Sequence, residues 1–239
     1  MKRRINVCLI IVLFFGGLAL FAYPLLNGLR LESEAASAVE VFQQAAVQST
    51  PAPPAASPMP TPYNELLQAM RDYNEEIYLN GQSGLSDPWS YEAVSIDISR
   101  YGIADGVIAV LTIPKLELEM PVYLGASYDN MAAGAAHLTE TSLPIGGNNT
   151  NCVIAGHRGW NGAPYFLHLD QLETGDEIFV TNLWETLSYT VSEVKIIEPY
   201  EVDEILIQPG RELLTLMTCH PPNTGGRYRL LVVCERGSP

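Results

Sequence analysis

The stretch from Leu213 to Val233 reads LLTLMTCHPPNTGGRYRLLVV, and its pattern indicates two β-strands joined by a loop. A β-rich run over residues 214–218 leads to Cys219, a loop rich in Pro, Asn and Gly follows, and a second β-rich run opens with Arg227 and Arg229. This arrangement brings a thiol and a guanidinium to the mouth of neighbouring strands. A thiol in that position is a candidate nucleophile.

A histidine occupies a similar position upstream. The segment CVIAGHRG carries a short apolar run to His157, which therefore also follows a predicted strand. With Cys219 and an arginine, His157 completes the groups that amide cleavage requires. These are a sulfur that attacks the carbonyl, an imidazole that protonates the leaving amine, and a donor for the developing oxyanion. The combination predicts nucleophilic catalysis.

From residue 107 onward, short β-rich runs alternate with turns rich in Gly, Pro and Asn, which is typical of an all-β barrel or sandwich. The predicted strands cover residues 107–113, 116–124, 152–155, 177–182, 187–197, 213–218 and 228–234. Helical pattern is confined to residues 130–137 and 165–172 and a turn near 202–206. One domain of about 140 residues is expected.

The TLMTC motif ending at Cys219, the arginine ten residues after it and the GHRG motif at His157 resemble, in their order, the motifs of the sortase family of membrane-anchored cysteine transpeptidases. The resemblance covers residues 63–235. It implies an all-β, eight-stranded sortase-type β-barrel with short helices, preceded by an N-terminal helix and a lid loop. Arg227 and Arg229 share one strand face by parity. The family's arginine precedes an aliphatic pair, as Arg229 precedes Leu-Leu, so Arg229 is the expected oxyanion donor.

Other polar residues near these motifs are secondary candidates. Thr218 and His137 are candidate substrate-binding residues, with strand packing and a structural hydrogen bond as the simpler functions. His220 should point away from Cys219 on an extended strand and is expected at the rim. His168, in the apolar run YFLHLDQL, is expected in the core or on a helix surface.

A zinc site is a different interpretation of the same residues, in which Cys219, His220, His157 and His137 bind the metal. Zinc sites commonly bring close ligand pairs such as CxxC or HxxxH, and the adjacent Cys-His pair lacks that spacing. The sequence therefore predicts an enzyme with no metal and no cofactor.

Composition limits the other classes of function. The chain has 239 residues, and 13 Lys and Arg against 27 Asp and Glu give a formal net charge of -14. Nucleic-acid binding is not expected, because there is no basic surface to displace counterions. Cys8 falls in an apolar N-terminal run, and Cys152 and Cys234 fall in apolar β-like runs as small buried side chains. A disulfide between the last two would require neighbouring strands.

The N-terminus carries a membrane signal. An apolar run over residues 5–26 follows a basic tail at residues 1–4, and at about 1.5 Å per residue it can cross a ~30 Å hydrocarbon core. The basic flank predicts a single-pass anchor in the cell membrane with the catalytic domain extracytoplasmic. A cleaved signal peptide is the competing interpretation, because Ala36-Ser37-Ala38 has the form of a cleavage site, but this site lies well beyond the apolar run.

Three segments are predicted after the anchor. Residues 27–62, rich in Ala, Ser, Gln and Pro, are expected to form an extended spacer. Residues 63–94 should contain an amphipathic helix and a turn-rich loop, and residues 95–236 the catalytic barrel. The loop contains Asp87-Pro88-Trp89, which alone indicates a turn. In this position it resembles the lid that class C, pilus-assembling sortases place over their active sites.

The resemblance implies cleavage of an LPXTG-like sorting signal through a Cys219 thioester and transfer of the acyl group to an amine, here expected to be a pilin lysine. The expected partners are sorting-signal proteins, the amine acceptor and the membrane of a Gram-positive cell. A housekeeping sortase that anchors proteins to peptidoglycan, and a non-transferring cysteine peptidase, are the alternatives. Pilus-class members generally carry a second membrane segment after the barrel, whereas this sequence stops at Pro239, so a truncated sequence or a broader subclass stays open.

Overall fold

The computed structural model describes residues 2–49, 61–85, 96–103 and 105–237. Its α-helices are α1 (Lys2–Ser49), α2 (Thr61–Leu79) and α3 (Tyr128–Ala133). Its strands are β1 (Val107–Ile113), β2 (Leu118–Tyr123), β3 (Ala135–His137), β4 (Thr150–Ala155), β5 (Arg158–Trp160), β6 (Ala163–Tyr165), β7 (Glu177–Thr181), β8 (Thr186–Ile197), β9 (Glu212–His220) and β10 (Tyr228–Arg236). Short 3-10 helices occur at Ile98–Tyr101, Pro114–Leu116, Leu169–Gln171 and Val202–Ile205.

Eight of these strands close into a barrel in the order β1, β2, β3, β4, β9, β10, β8, β7. The pairs β2–β3 and β4–β9 are parallel, and the other neighbouring pairs are antiparallel. β5 and β6 form a separate hairpin. The expected eight-stranded β-barrel with short helices is therefore confirmed.

Side chains alternate along β4, β9 and β10 between two apolar clusters. The larger cluster receives side chains from all eight barrel strands and fills the barrel. The second, which we call the outer cluster, contains Val153, Ala155, Met217 and Leu231 and is completed by residues of α3 and the Val202–Ile205 turn. Two faces of the same three strands are therefore covered, and the outer one leads to the strand ends that carry the candidate site.

Helix α1 continues well beyond the apolar run. It includes Pro24 and extends to Ser49, and Val39, Phe42 and Ala46 are buried in the main cluster. The structure thus differs from the extended spacer predicted over residues 27–62, because residues 27–49 are helical. This part is rich in Ala, Glu and Gln, which are strong helix formers, and its apolar residues recur at helical spacing. Residues 50–60 of the predicted spacer lie outside the described residues.

Helix α2 packs an apolar stripe onto the barrel. Leu66, Met70 and Ile77 are each at most 2% exposed, and each such side chain contributes about 1.5 to 3 kcal/mol relative to exposure. The buried amide of Asn74 adds polar contacts with Leu143, accepting from its backbone N–H at 2.7 Å and donating to its carbonyl at 3.3 Å. The helix is therefore held to the domain by both apolar burial and satisfied hydrogen bonds.

Two of the predicted helical segments differ in the structure. The segment predicted as helix over 130–137 is helical only to Ala133, and Ala135–His137 forms β3 between β2 and β4. The segment over 165–172 begins at the end of β6 and keeps one 3-10 turn, Leu169–Gln171. Three-residue strands are too short to show a period of two, so barrel pairing overrides the local pattern.

Cys152 and Cys234 are both buried and free. Leu214 of β9 is the cross-strand partner of both cysteines, so β4 and β10 lie on opposite sides of β9. Two strand spacings separate them by about 9.5 Å, beyond the roughly 7 Å Cα limit of a disulfide. A disulfide between Cys152 and Cys234 would require neighbouring strands, and β4 and β10 are not neighbours.

Candidate active site

Cys219 and Arg229 lie directly opposite each other in the antiparallel ladder between β9 and β10. Gly226 lies against both side chains, since a Cβ built on it would be 3.1 Å from Cys219 Sγ and 2.9 Å from Arg229 Nη1. Arg229 Nη1 also donates to the carbonyl of Gly226 at 2.6 Å. The guanidinium is therefore held beside the thiol by both the sheet register and the loop that precedes β10.

Strand β4 brings His157 to the same end of the sheet. β4 and β9 are parallel, Ala155 is paired with Met217, and the Gly156 amide donates to the Met217 carbonyl at 3.1 Å. His157 and Cys219 each follow two residues later, so the register brings both to the same end of two neighbouring strands. Because side chains alternate between faces, both continue the face of the outer cluster.

An aromatic stack holds the ring of His157. The ring lies nearly parallel to Trp160, with centroids 4.5 Å apart and an interplanar angle of 15°. The imidazole is half-buried, and its Nε2 atom has no hydrogen-bond partner among the described residues. Desolvation lowers the pKa of His157, so the ring is neutral at physiological pH. A fixed ring with an unoccupied nitrogen is suited to proton transfer.

Burial raises the pKa of the Cys219 thiol above its ordinary value, while the positive charges of Arg229 and Arg158 oppose that change. The net direction keeps the thiol protonated at neutral pH. In the resting site, Cys219 is therefore a neutral thiol and His157 a neutral imidazole. A thiolate forms when the proton leaves, and the two guanidinium groups are the charges that stabilise it.

The sequence patterns assign no role to Arg158, yet the structure places it beneath the site. Its side chain is 2% exposed, and its Nη2 atom pairs with Asp170 Oδ2 at 2.7 Å. Its Nη1 atom lies 2.6 Å from His220 Nδ1 and 3.5 Å from the Cys219 carbonyl oxygen. Because a guanidinium only donates, His220 Nδ1 accepts and its ring proton is on Nε2. Arg158 thus connects the ends of β5 and β9.

A signal for this residue was present in the sequence. Arg158 follows His157 directly, and His220 follows Cys219 directly. The two segments continue from β4 and β9, which are parallel strands. Alternation turns each second residue away from the face that carries His157 and Cys219, so Arg158 and His220 meet on the other side. An arginine adjacent to a candidate acid/base is therefore a candidate for positioning the neighbouring strand.

The two candidate substrate-binding residues, Thr218 and His137, are both 0% exposed. Thr218 Oγ1 donates to the Gly156 carbonyl at 2.7 Å and ties β9 to the end of β4. His137 Nε2 donates to the carbonyls of Thr141 and Ser142, each at 3.1 Å, and desolvation lowers the pKa of His137 to about 4. Neither side chain reaches a surface where a peptide could bind, so the structure gives both residues structural functions instead.

The remaining histidines and the second arginine are placed apart from the thiol. His168 is exposed, and its Nδ1 accepts from Gln171 Nε2 at 3.3 Å. Arg227 is exposed over the ring of Tyr228, with 5.3 Å between guanidinium carbon and ring centroid. Within the described part of the chain, no group of three or more His, Cys, Asp and Glu is arranged to hold a metal ion.

Comparison with known proteins agrees with this geometry. A family profile described as the sortase domain matches residues 111–237, which is more than half of the chain. The chain belongs to the sortase family. The match covers β4, β9 and β10, so the three strands that carry the candidate site of this sortase all lie inside it.

Individual relatives refine the comparison. Sortase A of Streptococcus agalactiae serotype III (strain NEM316) is 30% identical to this sortase over 125 residues, or 51% of this chain and 50% of that protein. The chain thus spans about half the length of that curated relative. The structure of the pilus-related sortase C of Group B Streptococcus has a TM-score of 0.69 and 30% identity, covering 82% of this chain and 95% of that chain. The lid mutant of Streptococcus agalactiae sortase C1 has a TM-score of 0.68 and 27% identity, covering 83% and 96%.

The lid predicted for this sortase, Asp87-Pro88-Trp89, lies outside the described residues. The segment that leads to it is fixed to the barrel. Gln82 is 4% exposed, its Nε2 donates to the Glu140 carbonyl at 2.9 Å, and its Oε1 accepts from the Ile207 amide at 2.6 Å. Leu85 packs against the outer cluster. Leu85, the last residue described before this segment, therefore lies next to the sheet face that leads to the thiol.

Proposed function

We propose that this protein is a membrane-anchored cysteine transpeptidase that cleaves an LPXTG-like sorting signal and transfers the acyl group to an amine, namely a pilin lysine during pilus polymerisation. One observation carries the proposal. Arg229 is the cross-strand partner of Cys219, and the parallel pairing of Ala155 with Met217 supports a position for His157 near the same thiol. Nucleophile, acid/base and oxyanion donor therefore meet at one end of the sheet.

In the first half-reaction, the Cys219 proton moves to His157 and the sulfur attacks the scissile carbonyl carbon. The carbonyl oxygen becomes an oxyanion, to which the Arg229 guanidinium donates. Collapse of this intermediate breaks the C–N bond, and the imidazolium of His157 gives its proton to the leaving amine. A thioester on Cys219 and a free amine result. A positioned acid/base contributes roughly 10² to 10⁴ in rate, and one oxyanion donor about 10² to 10³.

In the second half-reaction, an incoming amine attacks the thioester carbonyl and His157 takes its proton. Arg229 again donates to the oxyanion. The C–S bond then breaks, and the sulfur of Cys219 leaves as a thiolate beside two guanidinium groups. Its reprotonation by His157 restores the neutral resting pair. No cofactor or metal takes part in either half.

The pilus class is supported by the structural neighbours and by the sequence of the lid. The neighbours include a pilus-related sortase C and a lid mutant of sortase C1. Asp87-Pro88-Trp89 has the composition of such a lid, and Gln82 and Leu85 direct the chain toward the outer cluster before it. In this proposal Asp87 pairs with an active-site cation, most simply Arg229, and Trp89 covers the thiol until substrate arrives.

The membrane anchor is supported by the composition of α1. Within Ile10–Ala46 this helix has a stretch long and apolar enough to cross a membrane, and Phe14, Leu20, Phe21 and Leu26 are all exposed. Large apolar side chains left in water on one helix are unfavourable, whereas a bilayer removes that cost. The basic residues 2–4, which precede the apolar run, support a cytoplasmic N-terminus and a barrel outside the cell.

The full chain in detergent micelles tests the proposal with a labelled LPXTG-like peptide. The second substrates are a lysine-bearing pilin domain, an oligoglycine amine and water. Expected are a thioester-dependent peptide cleavage and a new amide bond to a lysine-bearing pilin domain, both absent in Cys219→Ala. Transfer to an oligoglycine amine but not to the pilin lysine would indicate a housekeeping sortase. Release of free acid with neither amine consumed would indicate a peptidase. No cleavage by the wild-type chain would contradict the proposed activity.

A further inference from the structure

The hairpin of β5 and β6 contacts α1 where its apolar run ends. Asn27 Nδ2 donates to the Asn161 carbonyl at 3.0 Å. Gly28 and Gly162 approach through their backbones, since a Cβ built on Gly28 would lie 2.5 Å from the Gly162 carbonyl oxygen. The apolar run covers residues 5–26, so the contact is within about one helical turn of its end. The hairpin tip and the end of the apolar run therefore lie at the same height along the axis of α1.

Two aromatic residues flank this contact. Trp160 ends β5 immediately before Asn161, and it meets Tyr128 edge to face with ring centroids 6.1 Å apart. Tyr128 begins α3 and is 63% exposed, although its ring is large and partly apolar. Rings that are apolar in body and polar at one end favour the headgroup level of a bilayer, where Trp and Tyr are enriched.

We infer that the β5–β6 hairpin and the first residue of α3 rest on the lipid surface, so that the active site opens beside the membrane. The inference rests on the proposed membrane anchor. Lipid is the occupant of this surface because α1 fixes the hairpin tip at the end of the segment that spans the bilayer. Trp160 also stacks on His157, so one ring contacts both the catalytic histidine and the headgroup layer.

The charges of this region indicate what kind of lipid contact it is. The chain carries a net charge of -14, and the exposed charged residue next to Tyr128 is Asp129. A basic patch for anionic headgroups is therefore not what holds the hairpin down. The contact depends on the anchor and on burial of the aromatic rings, and it should change little between zwitterionic and mixed anionic vesicles.

Fluorescence quenching by lipid measures this contact with a control inside the same chain. Trp184 lines a groove together with Gln43 and Ala46 of α1. Those residues follow Leu26 by about 17 to 20 positions, which at 1.5 Å per residue is about 25 to 30 Å from the end of the apolar run. Trp184 is therefore at the end of the barrel away from the bilayer.

Two double variants each leave a single tryptophan as the probe. Trp89→Phe with Trp184→Phe leaves Trp160, and Trp89→Phe with Trp160→Phe leaves Trp184. Both are reconstituted as full chains in phosphatidylcholine vesicles with or without lipid brominated near the headgroup. Bromolipid should lower Trp160 emission about twofold and leave Trp184 emission almost unchanged. Equal quenching of the two would overturn the inference.

A substitution in α1 tests the cause of the placement. Gly28→Leu should push the helix off the hairpin and reduce quenching of Trp160, because its side chain meets the Gly162 carbonyl. Gly17→Leu is the matched control, since no atom lies within 4 Å of a Cβ built there. Flotation of each chain with the vesicles separates the two proposals. Failure to float would contradict the anchor, whereas flotation without selective quenching of Trp160 would contradict the inference alone.

Discussion

Arg158 Nη2 lies 2.7 Å from Asp170 Oδ2, in an ion pair whose guanidinium is 2% exposed and whose carboxylate is half exposed. The pair fixes a buried cation under the end of β9, where it also contacts His220 and the Cys219 carbonyl. An unpaired buried charge is costly, so Asp170 is what allows Arg158 to stay there. The second guanidinium near the thiol is therefore held from the side opposite to Arg229.

We expect Arg158→Gln to move the pH profile of Cys219 alkylation to higher pH. The substitution removes one of the two positive charges that lower the pKa of this thiol. Loss of a charged hydrogen bond of about 1.5 to 3 kcal/mol should also reduce kcat roughly 10- to 100-fold. Arg158→Lys should shift the pH profile of Cys219 alkylation less than Arg158→Gln, because lysine keeps the positive charge although it lacks the planar guanidinium.

The exposed Arg227 provides the control for this experiment. Arg227→Gln removes the same charge from the same end of the barrel but leaves the site untouched, so its alkylation profile should match that of the wild-type chain. An unchanged profile in Arg158→Gln would mean that Arg158 is a packing residue.

Arg229→Lys should lower the rate of transfer by about 10² to 10³ with a small effect on the barrel's thermal stability. A point ammonium cannot present the planar donors that Arg229 places beside Cys219. Steady-state kinetics with the labelled peptide measures the loss, and Arg227→Lys should retain nearly full activity. The opposite ranking of these two lysine variants would show that the oxyanion donor is Arg227.

The strands that carry the site are the part of the fold that sequence patterns predict well. β9 and β10 are long runs of buried residues bounded by a loop of Pro, Asn and Gly, and their pairing places Cys219 opposite Arg229. β3, β5 and β6 have three residues each, so their pairing is decided by the barrel and the hairpin rather than by local pattern. Length therefore separates the predictable strands from the others.

Side-chain direction explains which site residues could be predicted. Thr218 is next to Cys219 in sequence, but alternation buries it against the Gly156 carbonyl. Arg158 acquires its function only because β4 and β9 run parallel and in register, which is a tertiary property. The composition of residues 27–49 favours a helix, but the packing of that helix on the barrel, where Val39 and Phe42 are buried, is again a tertiary property.

Opening of the lid should control access to the thiol. Asp87→Ala and Trp89→Ala should raise the rate at which a thiol reagent modifies Cys219. An exposed ion pair contributes about 1 kcal/mol or less, and a covered aromatic ring about 1.5 to 3 kcal/mol, so the Trp89 variant should show the larger effect, roughly 10- to 100-fold. Melting of the barrel should be little changed. Wild-type modification rates in both variants would reduce Asp87-Pro88-Trp89 to an ordinary turn.

His137 should make the barrel less stable in acid. Its pKa is lowered from 6.5 to about 4, so the unfolded chain binds this proton more readily than the folded one. The stability contributed by the neutral ring is complete above pH 6.5 and is lost as the pH falls toward 4, by about 3 kcal/mol in total.

The variant His137→Gln keeps a donor for the carbonyls of Thr141 and Ser142 but does not titrate. Its free energy of unfolding, measured by urea titration at several pH values, should change less between pH 6.5 and 4 than that of the wild-type chain. Parallel curves for the two chains would contradict the buried, neutral state assigned to His137.

Mass spectrometry of the enzyme quenched during turnover tests the central claim most directly. With an LPXTG-like peptide and no amine, the wild-type chain should carry the acyl fragment on Cys219, and added amine should discharge it. His157→Ala should form this adduct at least about 10² times more slowly, and His220→Ala at a rate much nearer that of the wild-type chain. Peptide cleavage without an adduct on Cys219, or with an adduct on another residue, would contradict the account.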